Sequence, residues 1–106
     1  MAKKASTEHQ ELTKRQQLIK QRRSQMLIHS CIYYALDSSI VDDATWQRWA
    51  DQLECLQQDK SDIEIGFFDQ VFADWDGATG SHLPHHDKWV YSKALSLLEY
   101  HDKVTK

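Results

Sequence analysis

The sequence predicts an all-α fold: a small four-helix domain built on a helical hairpin, with a long N-terminal helix. Three observations carry this. Apolar residues recur at three- and four-residue intervals in successive stretches, which is helical rather than strand periodicity. Residues 27–57 hold two such stretches joined by a short polar turn, the pattern of an antiparallel helix pair. Polar or glycine-containing segments at 59–61 and 76–81 separate the remaining apolar stretches.

The elements follow in order. Residues 1–7 are polar and predict a flexible N-terminus ahead of a single helical domain over 8–104. Thr7 and Gln10 have capping-box spacing, so helix one is expected from about Glu8 to about Leu36. Glu11 precedes Arg15 by four, the favourable order for a helical ion pair. Leu12, Ile19, Met26 and Tyr33 step by seven and form one narrow stripe. Leu27, Cys31 and Ala35, with Ile28 and Ile32, widen it in the second half. Asp37, Ser38 and Ser39 form the turn.

Asp42 or Asp43 caps the second helix. Its apolar face is Trp46, Trp49, Ala50, Leu53 and Leu56. Asp62 to Ile65 alternates weakly, a strand-like signal of four residues. Phe68, Val71, Phe72 and Trp75 predict a short third helix. Residues 76–81 read as a loop that Pro84 closes. Asp87 caps the last helix, with Val90, Ala94, Leu97 and Leu98 inward and Trp89 beside them.

Composition bounds the function. The chain has 106 residues, 41% of them hydrophobic, enough for one modest core. No apolar run approaches membrane-spanning length and no signal-peptide pattern opens the chain, so a soluble cytoplasmic protein is expected. Cys31 and Cys55 form no C-x-x-C pair. They read as two buried thiols, with a bridge between them as the alternative.

Net charge is -3, unevenly spread. Residues 1–25 carry seven basic residues, Arg15, Arg22 and Arg23 among them, against Glu8 and Glu11. The rest of the chain is strongly acidic. The basic arm reads either as a solvated face or as a contact with acidic residues, its own or a partner's. Few basic side chains converge, so direct nucleic-acid binding is not expected.

Little catalytic chemistry is on offer. His82, His85, His86 and Asp87 are metal-ligand types, but consecutive histidines beside Pro84 suit a polar loop with a helix cap, and no metal is assigned. Gly77-Ala78-Thr79-Gly80 lacks the Lys-Ser/Thr of a phosphate loop. From Asp59 to Asp76, acids mix with Ile65, Phe67, Phe68, Phe72 and Trp75. Such a mixture suits a face for a basic protein, and Asp69, Phe72, Asp74, Trp75 and Asp76 are its candidate partner-binding residues. The other reading makes the apolar members core and the acids solvated.

The hairpin LIHSCIYYALDSSIVDDATWQRWADQLECLQ resembles the N-terminal, nicotinamide-nucleotide-binding helical subdomain of NAD-dependent DNA ligases. The match covers about thirty of the 106 residues. It places His29, Tyr33, Tyr34, Asp37, Asp43, Trp46, Gln47, Leu53 and Leu56 on the family pattern. Ser39 stands for the family's proline, Trp46 for a tyrosine and Gln47 for an aspartate. The resemblance implies that Tyr33, Tyr34, Asp43 and Trp46 bind a nicotinamide nucleotide; apart from that resemblance no cofactor is expected. The alternative is that Tyr33 and Trp46 simply pack between the helices.

The same family forms its adenylate on the lysine of K-x-D-G. Here Asp74-Trp75-Asp76-Gly77 puts a carboxylate at that place, and a carboxylate is no amine nucleophile. The expectation is therefore not an enzyme. It is a non-catalytic, phage-type binding module for a nicotinamide nucleotide or a protein partner in nucleic-acid metabolism. The alternative is a virus-encoded inhibitor of a host nucleic-acid enzyme, of anti-restriction or anti-CRISPR type, acting through the acidic-aromatic face.

Overall fold

The computed structural model describes residues 12–105 except 74, 76 and 78. The expected flexible N-terminus, the Thr7–Gln10 box and the start of a helix at Glu8 lie outside these residues, as do Asp74 and Asp76.

Helix α1 spans Lys14–Tyr34. Its start differs from the expected one for a local reason. Thr13-Lys14-Arg15-Gln16 repeats the T-x-x-Q spacing six residues downstream of Thr7, and this box closes. Thr13 Oγ1 accepts from the Gln16 amide (3.0 Å), and Gln16 Oε1 accepts from the Thr13 amide (3.0 Å). Thr13 is extended, with φ -65° and ψ 167°, so the helix begins after it.

At the other end the Ala35 amide bonds the Cys31 carbonyl (2.8 Å). Asp37 then takes a left-handed φ of 54°, which a short polar side chain tolerates. The expected stripe holds at Ile19 and Met26, both buried, and fails at Tyr33, which is 58% exposed. A step of seven drifts about 20° per repeat on a 3.6-residue helix. By the last turn Leu27, Cys31 and Ile32 face the core instead.

Helix α2 spans Asp43–Leu56. Asp42 is its N-cap, accepting the Thr45 amide at 2.7 Å, and these bonds hold its carboxyl below the usual range. Ala50 and Leu53 are fully buried, while Trp46, Trp49 and Leu56 pack around them half-buried. A 3-10 turn over Lys60–Asp62 and a short helix α3, Asp69–Phe72, follow. No strand forms over 62–65; the Ile65 and Gly66 amides donate instead to the Asp69 carboxylate (3.0 and 2.9 Å). Helix α4 spans Lys88–Thr105. Asp87 caps it through the Trp89 and Val90 amides (2.9 and 3.1 Å). Val90 and Ala94 are fully buried.

The fold is therefore all-α, with four α-helices among the described residues. Helix α1 is central and packs against both α2 and α4. None of these helices is long and apolar enough to cross a membrane. Both cysteines are free; Cys31 is buried, but Cys55 is exposed, against expectation. Cys55 falls on the solvent side of α2, two residues past Leu53.

The arginines of the N-terminal arm prove to be internal fasteners. Arg15 pairs with Asp62 and donates to the Leu56 carbonyl. Arg23 is completely buried. Its guanidinium donates to Gln57 Oε1 (2.8 Å), Phe67 O (2.7 Å), Asp69 Oδ1 (2.8 Å) and Ile63 O (2.9 Å). It also lies 5.5 Å from the Phe72 ring centroid. The planar fork satisfies several acceptors at fixed angles, so one side chain ties the irregular 57–72 connection to α1.

Candidate functional site

A cleft of about 360 Å³ opens where the C-terminal end of α1 meets the start of α2. Helix α1 supplies His29, Ser30, Tyr33 and Tyr34, which share a face because residues three and four apart are neighbours. Helix α2 supplies Asp43, Trp46 and Gln47 at the same spacing. The turn adds Ser39, Ile40 and Val41, and a distant segment adds Thr79 and Gly80. The four residues expected to hold a nucleotide, Tyr33, Tyr34, Asp43 and Trp46, thus line one cavity.

The aromatic side chains are not simply core. Tyr33 and Tyr34 are 58% and 47% exposed, which sets aside the reading of Tyr33 as a packing residue. Tyr34 stacks on His85, with centroids 5.2 Å apart and planes 12° apart. Its hydroxyl sits 3.2 Å from Thr79 Oγ1. Tyr33 meets Tyr34 edge-on at 4.9 Å. Trp46 does pack partly against the core, with Trp75 edge-on behind it at 6.3 Å.

The far wall depends on a glycine. A Cβ on Gly80 would fall 2.0 Å from Ser30 Oγ and 2.8 Å from Ser30 Cβ. Any other residue would push the segment off α1. Trp75 Nε1 holds the neighbouring Thr79 carbonyl at 2.8 Å, and His85 Nε2 lies 2.8 Å from the Gly80 carbonyl oxygen. Gln47 joins this wall: its amide nitrogen meets Asp51 Oδ1 (3.0 Å) and the Gly77 carbonyl (3.4 Å). A carboxylate in its place would have no proton to donate, so the amide of Gln47 suits the packed loop.

Asp43 is the only Asp, Glu, Lys or Arg among the described lining residues. His29 lies against Trp49 at 5.3 Å, and burial lowers its pKa, favouring the neutral ring. His29 Nδ1 and Ser30 Oγ are buried in the cleft wall without a hydrogen-bond partner. No group of three metal-ligating side chains forms among the described residues. Of the histidines in the 82–87 loop, His85 stacks on Tyr34 and His86 on Tyr91 at 6.0 Å.

Three of the five residues expected on a partner-binding face are described, and each is tied into the fold. Phe72 is fully buried, under the Arg23 guanidinium and beside Gln57, whose Nε2 donates to the Phe72 carbonyl (3.2 Å). Asp69 is committed to Arg23 and to two backbone amides. Trp75 is half-buried, edge-on to Phe72 at 5.3 Å, and backs the cleft. Asp74 and Asp76 lie outside the described residues.

Sequence reasoning missed Ser30, Ile40, Val41, Thr79 and Gly80 as lining residues. For Thr79 and Gly80 the only signal was a short polar loop after Trp75, which carries no periodicity to say where it docks. No protein-family model matches the chain, and neither does any curated protein or solved structure.

Proposed function

We propose that the chain is a non-catalytic binding module whose cleft receives the nicotinamide ring and ribose of a nicotinamide nucleotide. One observation carries the reading. Tyr33, Tyr34, Asp43 and Trp46, picked out by their resemblance to the ligase subdomain, come from two helices and line a single cleft. A flat ring suits walls made of two tyrosines and an indole. The ribose hydroxyls suit the phenol, hydroxyl and carboxylate groups around them. The volume lies at the small end of ligand sites, which run from about 300 to 1,000 Å³; half a dinucleotide fits that better than a whole one. The module would then bind and present rather than transform its ligand, because no lysine stands ahead of Asp76-Gly77 to take an adenylate.

The test is a titration of nicotinamide mononucleotide followed by amide and indole NMR shifts. Perturbations should concentrate at Tyr33, Tyr34, Asp43 and Trp46. A spectrum unchanged by millimolar mononucleotide and equally by millimolar nicotinamide riboside would remove this reading.

A further inference from the structure

The charge lining the cleft is one-sided. Asp43 is the only formally charged side chain among the described lining residues, and it stands among Tyr33, Tyr34 and Trp46. Aromatic faces and a carboxylate together attract a cation. They give nothing to an anion. The N-terminus of α2 would ordinarily attract one, but it already carries Asp42 and Asp43, and the Asp42 carboxylate occupies the Thr45 amide. A phosphate placed there would meet two like charges. His29 does not offset them, because its buried ring favours the neutral form.

We propose that the cleft selects a flat, singly cationic ring and discriminates against an attached phosphate. In the nicotinamide series, which rests on the function proposed above, the preferred ligand is the oxidised riboside. The reduced dihydro ring is disfavoured because it lacks the pyridinium charge. The 5′-phosphate form is disfavoured because it brings negative charge to an acidic rim. Asp43 is the residue that discriminates.

Calorimetric titration of the full chain with four probes tests this: nicotinamide riboside, its dihydro form, nicotinamide mononucleotide and 1-methylnicotinamide. The riboside should bind about tenfold more tightly than the dihydro form, as one close charge contact with a solvent-exposed carboxylate gives. It should also bind more tightly than the mononucleotide, with the gap widening at low salt. 1-Methylnicotinamide, the bare cation, should still bind. Asp43→Asn should weaken the riboside about tenfold more than it weakens the dihydro form, which keeps the ribose contact but not the charge. Equal affinity for the oxidised and reduced ribosides, or a mononucleotide that binds more tightly than the riboside, overturns the selectivity while the nicotinamide site stands. No binding by any of the four overturns both. The wild-type series decides the matter even if the variant folds poorly.

Discussion

Replacing Arg23 with methionine tests how this fold is held together. The side chain is fully buried and donates four hydrogen bonds, to Gln57, Ile63, Phe67 and Asp69, at 2.7–2.9 Å. Methionine fills much of the aliphatic volume and removes every donor. Hydrogen bonds from a charged group contribute about 1.5–3 kcal/mol each, so a simple sum would exceed the stability of most domains. That sum overstates the loss. Asp69 keeps the amides of Ile65 and Gly66, and its side chain remains 30% exposed, so water reaches it.

The relevant figure is the loss of one partner of a buried pair, about 3–5 kcal/mol. Against a total of about 5–15 kcal/mol, that is a large fraction. At about 4–8 °C per kcal/mol for a domain of this size, the melting temperature should fall by at least about 12 °C. Urea denaturation and thermal melts followed by far-UV circular dichroism measure both quantities. Arg23→Lys should fall between, because an ammonium cannot span four acceptors as a fork does. Arg22→Met, next to it in sequence but exposed in its bond to Gln52, should change stability by less than about 1 kcal/mol. An Arg23→Met loss no larger than the Arg22→Met loss would refute the reasoning.

Leu53 is fully buried, so Leu53→Ala should cost about 2–5 kcal/mol in the same assay; a loss of a few tenths would mean the α1–α2 seam is not packed as described. Gly80→Ala should cost about 1–3 kcal/mol through overpacking against Ser30, and Ser30→Gly in the same chain should return part of it; a neutral Gly80→Ala would show that the far wall does not seat there. Acid should weaken the fold in two windows. Burial raises the Asp69 pKa, but the hydrogen bonds from Arg23 and the Ile65 and Gly66 amides prevail and leave it lowered. Its contribution is thus complete above the ordinary carboxylate range and lost as pH falls through the lowered value. His29 is also lowered: below the ordinary imidazole value the unfolded chain binds a proton that the native state resists, so stability falls there as well. Stability-against-pH curves should flatten in the upper window for His29→Gln and in the lower one for Asp69→Asn; parallel curves would exclude these groups.

Most of the helices were legible because their signals are local. Asp42 and Asp87 cap where their spacing placed them, and Leu53, Val90 and Ala94 are buried as the 3.6-residue period required. Two kinds of feature were not legible. The first is any choice between equivalent local signals: two T-x-x-Q boxes stand six residues apart, and only chain geometry shows that Thr13 starts α1. The second is tertiary. Arg23 looked like one cation of a basic arm, yet its partners lie 34 to 46 residues away, beyond any periodicity. Phe72 looked like part of an acidic-aromatic face for the same reason. The cleft was half legible: Tyr33, Tyr34, Asp43 and Trp46 came from the hairpin's resemblance, whereas spacing alone put Tyr33 and Trp46 in the packing seam. Thr79 and Gly80 belong to a loop whose position is set by contacts with Ser30, Trp75 and His85.

The seating of Gly80 on Ser30 has a consequence for how such a module can be inherited. A thirty-residue helix pair looks portable, something recombination could cut out and paste into another gene. Here it is not. One wall of the cavity comes from beyond the pair, held by Trp75 on the Thr79 carbonyl and by His85 between Gly80 and Tyr34. A transplanted hairpin would carry the tyrosines and the carboxylate to its new host as a flat, open surface without the enclosure between them. The cavity is built by the hairpin and the loop together, so a change around Gly80 alters its wall without touching a residue of the hairpin.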